Sequence, residues 1–346
     1  MDTRVAVISI IVENPEAIVT LNDLLHEAGN YIIGRMGIPY REKGINIISI
    51  AIDAPQDMIS SLSGKIGRLK GVSAKTAIQT SLQKRRHTMI KIAVYGKGGI
   101  GKSTTVSNVA AALAEQGLKV LQIGCDPKAD STILLRHGEE VPTVLQMYQE
   151  KKQNLKLEDI VKIGYKGIVC VEAGGPTPGL GCAGRGIITA LEKLEETGAY
   201  EKYQPDVVLY DVLGDVVCGG FSMPMRNGYA DKIFIVTSGE NMAIHAGANI
   251  AMAVENFKNR GYATLGGLIL NRRNVPREEE KVEELAEDFH TSIVGTLTRS
   301  DLVQQAEEQK KTVLEAFPES EMAEEYRILA KAILMKVREK QEVSNA

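Results

Sequence analysis

The sequence lacks the cysteines of a disulfide framework. Its 346 residues contain only four, Cys125, Cys170, Cys182 and Cys218, and no Cys-x-x-Cys motif occurs. Domains that depend on disulfides are far richer in cysteine. Each cysteine is therefore expected to be a thiol, a small buried hydrophobe or a metal ligand.

Long apolar runs and a strong charge of one sign are also missing. No uninterrupted apolar segment reaches the roughly 18 residues that a membrane helix needs. The N-terminus runs into a strand-like stretch without a signal-peptide pattern. The net charge is −3, and 25% of residues are charged, which argues against a nucleic-acid partner. These absences predict a cytoplasmic protein with no nucleic-acid partner and no membrane partner.

The first eighty residues have the pattern of a small domain. The predicted order is two strand–helix–strand units with a central hairpin, the ferredoxin-like βαββαβ plan. The expected elements are strand Arg4–Val12, helix Pro15–Ile32, strands Ile38–Tyr40 and Ile45–Ile52, helix Pro55–Leu69 and strand Val72–Gln79. Both faces of the first strand are apolar, which predicts that the second face is covered as well. A partner subunit could supply that cover. The predicted domains are residues 1–80, a linker at 81–88, and residues 89–346.

The second domain has a different sequence pattern, in which predicted strands alternate with predicted helices. Its strands are continuous apolar runs rather than alternating ones, as in a parallel sheet that helices cover on both faces. The expected strands are Ile90–Tyr95, Lys119–Gly124, Ile168–Glu172, Val207–Asp211, Lys232–Thr237 and Leu265–Asn271. The predicted fold class is therefore α/β with a mainly parallel sheet.

A phosphate-binding loop joins the first of these strands to a helix at Lys102–Gln116. Residues 96–103 read Gly-Lys-Gly-Gly-Ile-Gly-Lys-Ser, a complete Gly-x-x-x-x-Gly-Lys-Ser motif. Its glycines let backbone N–H groups converge on phosphate oxygens, and the helix directs its positive end at them. Lys102 is expected to reach the β- and γ-phosphates, and Ser103 to bind Mg²⁺. The predicted nucleotide-binding residues of this segment are Gly96, Lys97, Gly98, Gly99, Ile100, Gly101, Lys102, Ser103 and Thr104.

Two acidic segments follow strands of the same sheet and have the character of nucleotide switches. The first is residues 125–132, with Asp126 and Asp130, and the second is residues 211–215, with Asp211 and Asp215. Carboxylates at such positions hold Mg²⁺ or orient water. We expect Asp130 and Asp211 to act at Mg²⁺, and Asp126 and Asp215 to act in catalysis. Gly214 would let the backbone of the second segment approach the γ-phosphate. Segments of this kind are ordered by contacts with the γ-phosphate and relax after hydrolysis.

Two cysteines lie in glycine-rich surroundings. Cys182 belongs to residues 174–186, and Cys218 follows the second switch directly. A 4Fe–4S cluster takes four thiolates, so a symmetric dimer that supplies two from each subunit satisfies the count. The spacing alone is equally compatible with two structural cysteines. Cys125 and Cys170 end apolar strands and are expected to be buried thiols.

In combination, these motifs resemble the nitrogenase iron protein family over residues 89–335. The stretches that carry the resemblance are Gly-Lys-Gly-Gly-Ile-Gly-Lys-Ser-Thr, Cys-Asp-Pro-Lys-Ala-Asp-Ser-Thr, Gly-Cys-Ala-Gly-Arg-Gly and Tyr-Asp-Val-Leu-Gly-Asp-Val-Val-Cys-Gly-Gly-Phe. Lys97 resembles the extra lysine of the P-loop NTPases that include the nitrogenase iron protein, MinD and ParA. In that family this lysine crosses a dimer interface to the other subunit's nucleotide, so the resemblance implies a catalytic role for Lys97. The resemblance implies an ATP-controlled homodimer with one bridging 4Fe–4S cluster, held by Cys182 and Cys218, and with MgATP or MgADP.

The resemblance also implies an activity. An ATP-hydrolysing reductase component would take electrons from a low-potential donor such as ferredoxin or flavodoxin. It would pass them to a nitrogenase or nitrogenase-like acceptor. Arg185 would lie on the docking face, and Asn271, Gln304 and Tyr326 would lie near the adenine. The alternative is a positioning or scaffold ATPase of the MinD/ParA type without a cluster, in which the apolar face of helix Met322–Lys340 either packs inside the protein or lies on a membrane.

The first domain resembles small ACT-like regulators associated with iron-only hydrogenase systems. The resemblance rests on the overall pattern and on residues 34–41, Gly-Arg-Met-Gly-Ile-Pro-Tyr-Arg. It implies a regulatory or oligomerising role.

Overall fold

The computed structural model describes residues 3–78, 89–175, 183–214, 225, 229–258 and 262–343. By their internal contacts, Met1–His87 and Thr88–Ala346 form two compact units.

The first unit is an antiparallel sheet with two helices on one face. Its elements are β1 (Thr3–Val12), α1 (Ala17–Glu27), β2 (Ile32–Tyr40), β3 (Ile45–Pro55), α2 (Gln56–Gly67) and β4 (Val72–Ile78). The strand order is β2-β3-β1-β4, so the predicted βαββαβ order is confirmed. The first helix is shorter than predicted, because Gly29–Tyr31 forms a 3₁₀ turn that leads straight into β2.

Only one face of this sheet is covered among the described residues. On β1, Ile8 and Ile10 are buried in the core that the helices complete, whereas Val5, Val7 and Ile11 are exposed. The predicted cover of the second face is therefore not provided by the described part of this chain.

The second unit is built on an eight-stranded sheet. Its strands are β5 (Ile90–Tyr95), β6 (Val120–Gly124), β7 (Lys162–Ile163), β8 (Val169–Glu172), β9 (Val207–Asp211), β10 (Lys232–Thr237), β11 (Thr264–Asn271) and β12 (Ile293–Leu297). Its helices are α3 (Lys102–Glu115), α4 (Val144–Lys151), α5 (Leu157–Ile160), α6 (Ala183–Glu196), α7 (Ala199–Tyr203), α8 (Asn241–Lys258), α9 (Glu278–Asp288), α10 (Asp301–Glu308), α11 (Val313–Ala316) and α12 (Glu321–Val343).

The sheet order is β12-β11-β10-β5-β9-β6-β8-β7. Every pairing is parallel except that of β7 with β8. All six predicted strands are present to within one residue at each end. The two that were not predicted, β7 and β12, lie at the sheet edges, where burial is incomplete and the apolar signal is weak. Because β5, β9 and β6 are neighbours, their carboxyl ends bring the phosphate loop and both switch segments together.

Helix α12 packs into the core of this unit. Leu329, Ile333, Leu334 and Val337 are all buried, so the packing interpretation of its apolar face is confirmed and the membrane-surface one is wrong. Among the described residues, no helix combines the length and the apolar character needed to cross a bilayer.

Candidate nucleotide site

The loop between β5 and α3 needs glycine for two reasons. Gly99 and Gly101 have φ values of +74° and +90°, which side-chain-bearing residues rarely adopt. At Gly101 a Cβ would also lie 2.6 Å from the Nδ2 of Asn271. The loop then enters α3, so backbone N–H groups and the positive end of the helix face the same space. This arrangement is suited to binding phosphate groups.

A buried ion pair lies beneath the loop. Nζ of Lys102 donates to Oδ1 of Asp211 at 2.5 Å, and both side chains are almost inaccessible to solvent. Oδ2 of Asp211 is buried and has no hydrogen-bond partner among the described residues. Burying an anionic oxygen costs free energy unless a hydrogen-bond donor or a cation contacts it. A Mg²⁺-bound water would do so, and the donor set therefore fits the predicted metal.

Gly214 brings the second switch against the phosphate loop. A Cβ on Gly214 would lie 2.0 Å from the carbonyl oxygen of Gly96 and 3.1 Å from the backbone nitrogen of Gly98. Only glycine allows this contact, so the backbone of residue 214 lies directly against the phosphate loop. Asp215, the next residue, lies outside the described residues.

The first switch is held by a carboxylate that the sequence interpretation did not include. Glu172, at the end of β8, accepts hydrogen bonds from the backbone N–H of Thr132 at 2.8 Å and from its hydroxyl at 2.6 Å. The guanidinium of Arg136 lies 3.8 Å away. Burial raises the pKa of Glu172 to about 7. An acidic residue ending an otherwise apolar buried strand was the available signal.

The segment that leads toward Cys182 begins against the same switch. A Cβ on Gly175 would lie 2.5 Å from Cβ of Pro127, and one on Gly174 would lie 2.5 Å from Thr143. The carboxylate of Asp126 in turn accepts from the backbone N–H of Lys128 at 3.0 Å. The backbone at 174–175 is therefore in direct contact with residues of the first switch and the loop after it.

Polar contacts on the opposite side attach the end of β11 to the loop. Nδ2 of Asn271 donates to the carbonyl oxygen of Ile100 at 2.7 Å, and Arg273 donates to that of Gly99 at 2.9 Å. The buried Glu278 accepts from the N–H of Arg273 at 2.8 Å and from that of Gly239 at 3.2 Å. Arg273 and Glu278 were not predicted as site residues, because their roles depend on three separate segments meeting.

These elements enclose a cavity of about 470 Å³, a size typical of small-molecule sites. Its lining brings together most of the predicted nucleotide and switch residues. They are Lys97, Gly98, Gly99, Gly101, Lys102, Ser103, Thr104, Asp126, Asp130, Asn271, Gln304 and Tyr326. Gly96, Ile100 and Asp211 are not part of the lining but contact it through the interactions given above.

Two further carboxylates act at the rim of this cavity. Glu307 accepts from the hydroxyl of Thr104 at 2.9 Å. Glu325 accepts from both the N–H and the hydroxyl of Thr298, each at 2.8 Å. Tyr326 is buried beside them, and burial raises the pKa of its phenol well above the usual range. The wall around Gln304 and Tyr326 is thus fixed by side chains from α3, α10 and α12.

A larger open cleft of about 1,310 Å³ lies between α4 and α6. It contains none of the motif residues. Lys193 pairs with Glu196, and Lys202 with Glu158, both at 2.6 Å. Its lining is a solvated surface of paired charges, which gives no reason to place the nucleotide there.

The predicted cluster ligands Cys182 and Cys218 lie outside the described residues. Arg185 belongs to α6, but its side chain is not described. Cys125 and Cys170 are free and buried, as predicted. Burial raises the pKa of the Cys170 thiol to about 12 and that of Cys125 further still, so neither is a reactive thiolate at neutral pH.

Comparison with known proteins agrees with this geometry. Residues 90–343 match the profile of the 4Fe-4S iron sulfur cluster binding proteins of the NifH/frxC family. The nitrogenase iron protein of Methanococcus voltae is 50% identical over 246 residues, which cover 71% of this chain and 88% of that protein. Residues 4–76 match the profile of an iron-only hydrogenase system regulator, as the sequence predicted for the first domain.

Solved structures show the fold class. The cell division ATPase MinD of Pyrococcus furiosus is 20% identical, with a TM-score of 0.56, and the match covers 71% of this chain and 99% of that one. A ParA family ATPase from Chlorobium tepidum is 16% identical, also with a TM-score of 0.56, over 70% of this chain and 98% of that one. The second unit therefore has the P-loop NTPase fold. The chain belongs to the NifH/frxC family of 4Fe–4S iron–sulfur cluster binding proteins, whose cofactors are the cluster and MgATP.

Proposed function

We propose that this protein is the ATP-hydrolysing reductase component of a nitrogenase or nitrogenase-like system. It acts in the cytoplasm as a homodimer in which Cys182 and Cys218 of each chain hold one shared 4Fe–4S cluster. A low-potential donor such as ferredoxin or flavodoxin reduces it. An acceptor protein docks on the face that carries Arg185 and receives the electron.

One contact carries this proposal. Gly214 touches the carbonyl oxygen of Gly96 so closely that no other residue fits, and Cys218 follows only four residues later. A displacement of the phosphate loop can therefore reach Cys218 through a short stretch of backbone. A second route runs from Pro127 of the first switch through Gly175 toward Cys182. Both cysteine segments thus begin at nucleotide-sensing elements, which an ATPase without a cluster does not require.

The nucleotide chemistry follows from the described side chains. In hydrolysis, water attacks the γ-phosphorus, the bond to the β–γ bridging oxygen breaks, and ADP and phosphate leave. Lys102 and the N-terminus of α3 stabilise the charge on the phosphates. Ser103, Asp130 and Asp211 hold Mg²⁺ and its waters.

The remaining residues act on the attacking water, across the dimer interface and at the adenine base. Asp126 and Asp215 orient the attacking water, and Lys97 reaches the nucleotide of the second subunit. Asn271, Gln304 and Tyr326, which line the same cavity, lie near the adenine. The cluster supplies one-electron reduction, and hydrolysis controls when the acceptor receives that electron.

Iron content tests the proposal most directly. The protein is purified without oxygen as wild type and as the variants Cys182→Ser and Cys218→Ser, with Cys170→Ser as the matched control in a buried thiol. We expect about four irons per wild-type dimer and per control dimer, and loss of iron in the other two variants. Electron paramagnetic resonance of the reduced protein, with and without MgATP, then reports whether the nucleotide alters the cluster.

Two outcomes would contradict the proposal. Unchanged iron in Cys182→Ser or Cys218→Ser would remove those residues as ligands. An iron-free wild type that binds liposomes or DNA only with ATP would instead support a positioning ATPase. The fold similarity to MinD and ParA carries no argument for that alternative, because fold does not determine function.

A further inference from the structure

The first unit carries an apolar surface that the described chain leaves uncovered. This surface is the outer face of its sheet, called the open face here, with Val5, Val7, Ile11, Met36, Ile38 and Ile47 as its large apolar side chains. Each of them is more than one-third exposed, Met36 by 58% and Val7 by 41%. On the opposite face of the same strands, Ile8, Ile50 and Ile52 are completely buried.

Strand register makes this surface continuous. Ile38 pairs with Ile47, and Ile47 pairs with Ile11, so three isoleucines form one row across β2, β3 and β1. Two residues along, Ser49 and Ser9 pair at the centre of the face. An exposed face of an antiparallel sheet is normally polar, and an exposed contiguous apolar patch marks an interaction site.

The charge of the open face suits a copy of itself. Its charged residues among those described are Asp53 and Lys75, one of each sign, on different strands. The net charge of the face is therefore zero, and neither copy presents an excess of one sign to the other. A partner recognised through charge would need an excess of one sign, which the open face lacks.

The area of the open face also fits pairing with a second copy that the homodimer already holds nearby. Four strands about 4.8 Å apart, with a rise of about 3.3 Å per residue, give a face of roughly 500 Å². Two copies would bury about 1,000 Å² in total, the lower limit for a specific interface. Alone this contact would be weak, but linkage to one dimer provides an effective concentration in the millimolar range.

We infer that the open faces of the two N-terminal units pack against each other, sheet on sheet, within the homodimer. This inference rests on the proposed homodimer of the second unit. The contact is isologous, because the same residues contribute from both chains. The N-terminal unit thereby gives the dimer a second point of contact, separate from the nucleotide and the cluster.

Cross-linking in the full-length protein tests the pairing. Ser9→Cys places a thiol at the centre of the open face, and Ser60→Cys places one on the exposed side of α2 as the matched control. Under anaerobic conditions each is treated with a bis-maleimide whose span matches the about 10 Å spacing of packed sheets. We expect at least about tenfold more covalent dimer from Ser9→Cys than from Ser60→Cys, measured against wild type to account for the native cysteines.

A charge variant makes the test specific. Val7→Lys, added to Ser9→Cys, introduces two like charges into the paired faces and should abolish cross-linking. Val19→Lys is the matched control, because Val19 lies on α1 and is already 69% exposed. Thermal unfolding checks that both lysine variants remain folded. Cross-linking that persists in Val7→Lys overturns the inference.

The reactivity of Ser9→Cys also decides the question. If Ser9→Cys reacts rapidly with a monofunctional maleimide and does not cross-link, the face is open and the inference is wrong. If it is protected yet does not cross-link, another part of the chain or a different partner covers it, and the inference is again wrong. Light scattering and iron content of the same samples separate these results from failure of the proposed function. A dimer with iron and no Ser9 cross-link refutes only the pairing, and a monomer without iron refutes the proposed function.

Discussion

Lys102 and Asp211 form a buried pair, with Nζ and Oδ1 separated by 2.5 Å, directly under the phosphate loop. The lysine is the same one that the motif assigns to the phosphates. In this arrangement the carboxylate holds it at the site and keeps its charge compensated. Removal of either partner would leave an uncompensated charge in a nearly dry environment.

Lys102→Ala should therefore affect both activity and stability. We expect ATP hydrolysis to fall at least about a hundredfold, because a main charge on the phosphates is lost. The free energy of unfolding should fall by about 3 kcal/mol, because Asp211 remains buried and unpaired. Phosphate release and urea unfolding measure the two effects. Lys151→Ala, which removes a surface pair with Asp159, is the control and should leave both unchanged.

Gly214→Ala should uncouple the second switch from the loop. A Cβ there would lie 2.0 Å from the carbonyl oxygen of Gly96, so one of the two segments must move. We expect ATP hydrolysis to fall at least about tenfold, since a misplacement of about 1 Å is sufficient for such losses. The far-ultraviolet spectrum should stay unchanged. Gly64→Ala, in α2 where a Cβ would meet open space, should keep full activity; equal activity of the two variants would show that the contact is not functional.

The stability of the second unit should depend on the protonation of Glu172. Burial raises the pKa of this carboxyl from its ordinary value of 4.5 to about 7. Between these values the folded protein holds a proton that the unfolded chain has lost, so the free energy of unfolding falls as pH rises. The total decrease from pH 4.5 to above 7 is about 3 kcal/mol.

Glu172→Gln isolates this dependence, because glutamine keeps the acceptor for Thr132 but cannot ionise. Urea unfolding at pH 5 and pH 7.5 should show a smaller pH difference for Glu172→Gln than for wild type. Glu283→Gln, an exposed position on α9, is the control and should retain the wild-type difference. An identical pH difference in Glu172→Gln would show that another group is responsible.

Asn271→Asp should weaken nucleotide binding. The amide Nδ2 donates to the carbonyl oxygen of Ile100 at 2.7 Å, and a carboxylate at that place would present a second acceptor instead. The loop must then shift or leave the groups unpaired, at about 1–3 kcal/mol. We expect the dissociation constant for MgADP in calorimetry to rise about tenfold or more. Asn154→Asp, at an exposed turn remote from the cavity, should bind as the wild type does.

Much of the site was predictable because phosphate binding depends on local backbone. The glycines and Lys102 act within one strand–loop–helix segment, so their spacing in the chain already describes their geometry. The same holds for the six predicted strands, whose continuous apolar runs reflect burial on both faces. Edge strands β7 and β12 were not predictable in this way, because an edge position weakens the apolar signal.

The sequence by itself determined the family, the cofactors that the family uses, the order of elements in the first unit and six strands of the second. Only the tertiary structure decided that Glu172 holds Thr132, that Glu278 supports Arg273 against the loop, and that the apolar side of α12 is internal. It also decided that the described residues of this chain leave one apolar face of the N-terminal sheet uncovered. These features depend on which distant segments meet and on which surfaces remain uncovered. The spacing of residues along the chain contains neither kind of information.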